Sequence, residues 1–349
     1  MTGTRSRPAR RVEPPPPLLP APGLDLVSHR RLVEPTVDVT LPLRPGDPTF
    51  VTAGETVVAG TVVAERLRDA HLIEAAAGPP ARAGERWSGD AIGGIRRGST
   101  RREGELLFES NGRWRIATGE HRDPIETPVG GIVREVRPGM AVTVRAAGAA
   151  LRGVIALGDP SRGRLEIATD RNGELLPRSL DVGSAGAILV VGARIDAEAL
   201  TRARAMGIRG VVVATLPGKD RRDYLASEAR QRAALHRLPP FGVLVLHGSQ
   251  RRPIGEAAMA LLERLAGRDV AIAGRPPALV FDPDGVPPRT EPPGAVHVRS
   301  GPLAGRQGTF VGLAGLRRFP GATHVEAAFV RFDDDPPLAV PLADLERLT

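Results

Sequence analysis

The chain has 349 residues, of which 41% are hydrophobic but only 3% aromatic, and its formal net charge is +8. The length predicts two or three domains, and the absence of cysteine excludes disulfides, thiolate catalysis, Cys-ligated zinc and iron–sulfur clusters. Because the sequence has no long apolar run and no secretory leader pattern at its start, we expect a soluble cytoplasmic protein without a membrane partner.

The basic charge is carried almost entirely by arginine. Of the 48 basic residues only Lys219 is a lysine. This bias, together with many Ala, Gly and Pro residues, is typical of GC-rich coding sequences, so it reflects mutational pressure as readily as function. The charge therefore allows an RNA or ribonucleoprotein partner without requiring one.

Residues 1–35 are rich in proline and arginine and show no periodic apolar pattern. Such a composition predicts a disordered tail. The tail is either a phosphate-binding arm or a solvated segment, and the composition favours the second.

Residues 36–178 are predicted to form a β domain, because short β-branched runs alternate with Gly and Pro. The spacing Val-x-x-Gly-x-x-Val occurs at 51–57 and again at 136–142, and the central glycines, Gly54 and Gly139, are predicted at turns with positive φ. The second copy follows the stretch Thr-Pro-Val-Gly-Gly-Ile-Val. This pattern resembles the opening of biotinyl/lipoyl-like barrel-sandwich domains, and the resemblance implies a barrel-sandwich hybrid.

A swinging-arm cofactor is not expected on this domain. Carriers of this family attach biotin or lipoate to a lysine, and residues 1–218 contain none. The domain is therefore predicted to be a scaffold or a docking surface. An Arg-rich insert at 75–104 is expected to be a surface loop, with phosphate binding as the alternative. Its arginine cluster comprises Arg96, Arg97, Arg101 and Arg102.

Residues 179–281 alternate strands with helices, which predicts a parallel α/β layer with right-handed crossovers. Asp196 is expected to cap the first helix and Gly207 to end it. The predicted strands are 187–191, 210–213, 241–246 and 269–273, and the predicted helices are 197–206, 221–236 and 255–266.

Open α/β sheets bind ligands beyond the carboxyl ends of their strands. The polar residues predicted at that edge, which could hold a phosphate or nucleotide, are Arg194, Lys219, His247, Ser249 and Arg251. No catalytic residue is assigned, because the phosphate-loop pattern fails at Asp220 and no nucleophile motif surrounds Ser249. The histidine spacings do not match a metal site. A non-catalytic pocket is favoured over catalysis, and ordinary polar loops are the alternative.

A Pro-rich linker at 282–293 precedes a C-terminal segment, 294–349. Within it, alternating apolar residues from position 296 predict a strand. A Gly-Pro turn follows, and the chain re-enters the sheet at Gly308 before a second apolar strand. This segment resembles the KOW motif of NusG-type transcription elongation factors and ribosomal KOW proteins. The resemblance implies a small β-barrel that contacts RNA, the ribosome or other proteins.

Two valines, Val296 and Val298, are expected in the core of this barrel, and Gly308 at a bulge. Contact with nucleic acid would be carried by arginines around one rim, with an aromatic stacking platform. These residues are Arg299, Arg306, Arg317, Arg318 and Phe319. Alternatively, the phenylalanine is buried and the arginines are solvated. The acidic run at 333–335 would repel phosphate if it shared their face.

Three hypotheses for the function remain open. The first, which is favoured, is a non-enzymatic binding protein attached to the transcription or translation machinery through the KOW barrel. The second is an assembly scaffold that contacts only proteins. The third is a phosphate or nucleotide sensor, or an enzyme, that uses the loops of the α/β domain. The expected fold class is a multidomain β plus α/β protein.

Overall fold

The computed structural model describes residues 21–67, 71–76, 82, 85–89, 102–118, 122–234, 238–286, 291–320, 324–333 and 335–349. The chain divides into two compact units. The large unit spans the described residues of Arg31–Pro288, and the terminal unit combines those of Met1–Arg30 and Arg289–Leu348. The described residues are mostly β-sheet with three α-helices, which confirms a β-rich multidomain protein.

The strands in chain order are β1 (Ser28–Arg30), β2 (Val33–Glu34), β3 (Asp38–Pro42), β4 (Thr56–Val57), β5 (Val62–Leu67), β6 (His71–Ala76), β7 (Arg86–Gly89), β8 (Arg102–Ser110), β9 (Arg113–Thr118), β10 (Arg122–Glu126), β11 (Gly131–Arg137), β12 (Ala141–Ala146), β13 (Ala149–Arg152), β14 (Ile155–Gly158), β15 (Ser161–Ile167), β16 (Glu174–Leu175), β17 (Ala187–Ile195), β18 (Gly210–Thr215), β19 (Gly242–Gly248), β20 (Asp269–Gly274), β21 (Pro277–Phe281), β22 (Ala295–Val298), β23 (Gln307–Arg318), β24 (His324–Arg331), β25 (Leu338–Pro341) and β26 (Leu345–Leu348). The α-helices are α1 (Ala197–Ala205), α2 (Gly218–Ala234) and α3 (Glu256–Leu265). No helix in the described part of the chain is long and apolar enough to cross a membrane.

The large unit is organised around a ten-stranded sheet with the order β14-β19-β18-β17-β15-β20-β21-β13-β2, and β16 also pairs with β17. The pairings of β15, β16 and β18 with β17, and of β18 with β19, are parallel. Alternate residues of β17 enter different cores, because successive strand residues point to opposite faces. Ile188 and Val190 pack with α3, whereas Leu189 and Val191 pack with α1. Helices therefore cover both faces of the parallel part.

The predicted alternation of strands and helices between 179 and 281 is confirmed, and so are the predicted ends of α1. Asp196 accepts a hydrogen bond from the Ala199 N–H at 2.7 Å, and Gly207 follows the helix with φ +83°. The prediction of a purely parallel layer is wrong, because β20 pairs antiparallel with β15 and β21. Asp269 pairs with Arg164 at the level where β17 begins. After α3 the chain therefore enters β20 at this level and runs past the amino ends of the parallel strands, opposite to their direction.

The predicted boundary at residue 178 falls inside this sheet. Strands β13, β14 and β15 precede it in the chain, yet they pair with β21, β19 and β17 beyond it. These pairings join distant segments, which local patterns do not reveal. The end of the segment 36–178, from β13 to β16, is thus part of the same sheet as the segment 179–281, although the two segments were predicted as separate domains.

A smaller β module of the large unit is built from residues 37–67 and 122–146. It holds a four-stranded sheet of order β3-β12-β11-β4 and the antiparallel pair β10-β5. Its valine-rich core includes Ala271, Ala273 and Val280, so the module packs against β20 and β21. The two predicted glycine turns are confirmed, with φ of +90° at Gly54 and +70° at Gly139.

Part of the insert predicted as a surface loop at 75–104 is a sheet instead. Strands β6, β9, β8 and β7 form a four-stranded antiparallel sheet in that order. The sheet forms because it has a small apolar core of its own, which consists of Ala75, Leu106, Trp114 and Ile116. Three arginines of the predicted cluster lie outside the described residues, namely Arg96, Arg97 and Arg101. Arg102 is the first residue of β8.

The terminal unit is a six-stranded sheet with the order β1-β26-β22-β23-β24-β25. Val296 and Val298 are buried in its core, as predicted. The closed barrel implied by the resemblance is not what the described residues form, because β1 and β25 are the two open edges of the sheet. Gly308 is not at a bulge. It is required by close packing, since a Cβ there would lie 2.6 Å from Val330 Cγ1.

The N-terminal segment predicted as a disordered tail contributes to this core. Leu24 and Val27 are buried against the sheet, and β1 pairs in parallel with β26. Leu24 is the first residue of a single 3₁₀ turn, Leu24–Leu26, and Val27 follows it. Disorder was predicted because two buried residues are too few to produce a periodic pattern. The residues before position 21 lie outside the described part of the chain.

Candidate binding sites

The loops at the carboxyl edge of the large sheet bring together two of the predicted anion-binding arginines. Arg194, near the end of β17, places Nη2 3.1 Å from Asp220 Oδ2 and Nε 3.8 Å from Glu174 Oε1. Arg251 reaches the same Glu174, with Nη2 3.8 Å from Oε2. Each guanidinium therefore faces a carboxylate, which weakens the attraction of this edge for a phosphate.

The other three predicted residues at this edge differ in exposure. Lys219 is exposed on the first turn of α2, and Ser249 is exposed just after β19. His247 is half-buried within β19. This edge of the sheet thus consists of polar loops in which the two arginines are paired with carboxylates.

The four arginines predicted to form one rim of the terminal unit lie at two ends of a long strand. Arg306 immediately precedes β23, whereas Arg317 and Arg318 end it. A strand of 12 residues with a rise of about 3.3 Å per residue separates its ends by roughly 35 Å. The prediction of a single rim is therefore wrong. β23 continues through two register shifts in its pairing with β24, one at Phe310/Gly312 and one at Leu313/Gly315.

At the first end of β23, the positive charge of the arginine is balanced by an acidic side chain. Arg306 Nη2 lies 3.1 Å from Asp333 Oδ2, and its guanidinium stacks over the Phe332 ring at 4.6 Å. Part of the acidic turn thus shares a face with this arginine, which is the arrangement that disfavours phosphate. Arg299, in the neighbouring turn, is exposed, and its backbone N–H donates to Asp344 O at 2.8 Å.

The second end of β23 is different, because its arginines have no acidic partner among the described residues. Arg317 and Arg318 are exposed, and neither forms an ion pair within the described residues. Arg317 Nε donates to Ala314 O at 3.0 Å, and its guanidinium lies 5.5 Å from the Phe329 ring centroid. Phe319 is half-buried and lies outside the core cluster of this unit.

Exposed leucines next to these arginines were not anticipated from the sequence. Leu313 and Leu316 are 46% and 66% exposed, and β22 pairs with β23 only up to Thr309. Phe310 N–H still donates to Gly294 O at 2.9 Å, and beyond it the described strand that pairs with β23 is β24. The apolar residues of a strand are ordinarily assigned to the core, which is why the sequence did not reveal them.

A cleft of about 500 Å³ in the large unit was also missed. It opens between the small β module and the amino ends of β18 and β19, the opposite edge from the predicted one. Its lining draws on segments that are far apart in the chain, so no local motif marks it. The charged residues that line it are Arg66, Arg162, Arg209, Asp123, Glu126 and Asp159.

Comparison with known proteins adds no relative. No protein-family model matches the chain, and the search of curated proteins finds no match either.

Proposed function

We propose that the chain is a non-enzymatic binding protein whose terminal unit contacts single-stranded RNA through the end of the β23–β24 hairpin. One observation carries this proposal: Arg317 and Arg318 are exposed there without an acidic partner among the described residues, whereas Arg306 and Arg194 each face a carboxylate. A guanidinium that is not already paired is free to bind a phosphate in bidentate fashion.

RNA binding at the hairpin would be non-covalent. Arg317 is held by the Ala314 carbonyl and by the Phe329 ring, so less side-chain freedom is lost when a phosphate binds. The half-buried Phe319 follows directly and would stack on an unpaired base, which favours a single strand over a duplex. The resemblance of residues 296–310 to the KOW motif supports a partner in the transcription or translation machinery of the cytoplasm.

The competing ligand-sensor hypothesis has lost support. It required Arg194 and Arg251 to attract an anion, and both face Glu174. The scaffold hypothesis keeps one supporting observation, the exposed Leu313 and Leu316. Protein docking at the hairpin is therefore treated as an outcome of the RNA experiment.

The test measures binding of labelled single-stranded and duplex RNA between roughly 50 and 200 mM salt. The variant Arg317→Ala/Arg318→Ala removes the two free charges. The matched control, Arg299→Ala/Arg306→Ala, changes the net charge of the same unit equally. We expect the first variant to reduce the salt slope for single strands by about 1.4, which is about 0.7 for each lost contact, and the control to change it little. Asp333→Asn, which releases Arg306, should raise the slope slightly.

Equal slopes for the two double variants would mean that only net charge matters, and would contradict a site at the hairpin. If the wild-type protein binds no RNA at low salt, the RNA proposal fails and the hairpin is left as a protein-docking surface.

A further inference from the structure

Among the described residues, the cleft between the small β module and the large sheet has one charged side chain of each sign without an ion-pair partner. Arg66 is engaged by Asp47, with Nη2 3.1 Å from Oδ2, and Arg162 Nη2 lies 2.8 Å from Asp269 Oδ2. Arg209 has no ion-pair or hydrogen-bond partner for its guanidinium among the described residues. It is therefore the one lining arginine that remains available to an anion.

The position of Arg209 is fixed by its backbone. Its N–H donates to Ala187 O at 2.8 Å, and its carbonyl accepts from the Gly242 N–H at 3.0 Å. The side chain is half-buried, so the guanidinium is partly withdrawn from water without a compensating partner. A bound anion would provide that compensation.

The three acidic residues that line the cleft also divide into those with partners and one without a partner among the described residues. Asp123 and Asp159 are both engaged in other interactions. Glu126, in the opposite wall and contributed by β10, has no ion pair or hydrogen bond for its carboxylate within the described residues. The two walls thus present one free carboxylate and one free guanidinium. A ligand that satisfies both must carry both charges.

The remaining lining fits a small ligand with an apolar body. Ile125 and Leu238 contribute apolar surface, and five prolines stiffen the walls, namely Pro42, Pro124, Pro128, Pro160 and Pro240. Ser161, which is 3% exposed, adds a hydroxyl without a hydrogen-bond partner among the described residues. This hydroxyl lies beside Gly210, where a Cβ would be 3.2 Å from Oγ, and so belongs to the Arg209 wall. Stiff walls reduce the ordering cost of binding.

From this arrangement we propose that the cleft binds a small zwitterion of the amino-acid or dipeptide class, with its carboxylate on Arg209 and its ammonium group on Glu126. Polyanions such as nucleotides are disfavoured, because three carboxylates line the same cleft. The site lies in the large unit and does not depend on RNA binding by the terminal unit.

The experiment uses calorimetric titration and thermal unfolding of the full chain. The zwitterionic probes are L-leucine, L-glutamine and glycyl-L-leucine. Two single-charge analogues, N-acetyl-L-leucine and L-leucinamide, each lack one of the two groups, and inorganic phosphate tests a simple anion. We expect at least one zwitterion to raise the unfolding temperature, and its single-charge analogues and phosphate to raise it far less.

Variants then assign the two charges. Arg209→Gln and Glu126→Gln should each weaken zwitterion binding roughly tenfold. Arg162→Gln is the matched control, since this arginine lines the same cleft but is already paired, and we expect its affinity to stay within about twofold of wild type. Glu126→Gln should leave binding of N-acetyl-L-leucine unchanged, because this analogue lacks the ammonium group. A variant that had lost its fold would instead lose binding of every probe.

The proposal is overturned if none of the three zwitterions binds. It is also overturned if phosphate stabilises the protein as much as they do, or if zwitterion binding survives Arg209→Gln unchanged.

Discussion

The large sheet and the β23–β24 hairpin contain the same two residue types, leucine and arginine, in opposite environments. In the large sheet, Leu244 is fully buried in β19 and Arg194 faces two carboxylates. On the hairpin, Leu316 is 66% exposed and Arg318 has no acidic partner within the described residues. The comparison shows that the arginine count does not locate a binding surface in this protein. The proposed binding surface lies where the described arginines lack the carboxylate partners that Arg194 and Arg306 have.

Among the described residues of the large unit, the most deeply buried arginine is Arg204. It is 3% exposed between α1 and α2, where Nη1 lies 3.2 Å from Glu228 Oε1 and the guanidinium lies over the Tyr224 ring. Removal of one member of a buried ion pair leaves an uncompensated charge in the interior.

The largest expected effect concerns this pair. Glu228→Ala should lower the free energy of unfolding by about 3 to 5 kcal/mol, because Arg204 stays buried without its carboxylate. Glu174→Ala, which removes the half-buried partner of Arg194 and Arg251, should cost about 1 kcal/mol or less. Urea unfolding measures both. Equal losses would show that burial does not distinguish these arginines.

The second prediction applies the same contrast to leucine. Leu244→Ala should destabilise the large unit by about 2 to 5 kcal/mol, since it leaves a cavity in a packed core. Leu316→Ala should change the stability of the terminal unit by less than about 0.5 kcal/mol. Scanning calorimetry follows both transitions. A loss of similar size at Leu316 would mean that this side chain is packed in solution, and would weaken the hairpin as a binding surface.

The smallest effect compares a paired surface arginine with an unpaired one. Arg145 contacts Asp38 across β3 and β12, with Nε 2.9 Å from Oδ1, and this hydrogen bond holds the pKa of Asp38 below its usual value. A lowered folded-state pKa stabilises the fold above the unfolded-state pKa of about 3.9, and that contribution is lost as the pH falls through the folded value.

Asp38→Asn should therefore cause a small stability loss at neutral pH that disappears in acid, below about pH 4. Arg317→Ala, at a site without a carboxylate partner, should show no such dependence. The readout is the urea midpoint as a function of pH. A deficit in Asp38→Asn that persists unchanged into acid would contradict the assigned partnership.

Local patterns predicted local features well. The strand–helix alternation of β17 to β20, the cap at Asp196, the turns at Gly54 and Gly139 and the buried Val296 and Val298 all depend on residues close in the chain. Features that depend on distant pairing were missed. Ser28 donates to Leu345 across 317 positions, and nothing near either residue encodes that contact.

The candidate sites show the same difference between local features, which the sequence predicts, and features that depend on distant contacts, which it does not. Arg317 and Arg318 were identified by residue type, but their freedom from acidic partners, in contrast to Arg306, depends on where the acidic turn lies after folding. The cleft was missed because Glu126 and Arg209 reach it from separate elements. Arginines are too common in this chain for any one of them to attract notice in the sequence.

The parallel pairing of β1 with β26 has a consequence for synthesis. Residues 28–30 are synthesised before the large unit, but their partner strand, Leu345–Leu348, is synthesised only after it. In the sequence the large unit is an insertion within the terminal unit, so it can begin folding during translation before the terminal unit has both of its segments. The unit proposed to bind RNA therefore becomes complete only after the large unit has been synthesised, and a chain that terminates before residue 345 would lack the pairing of β1 with β26.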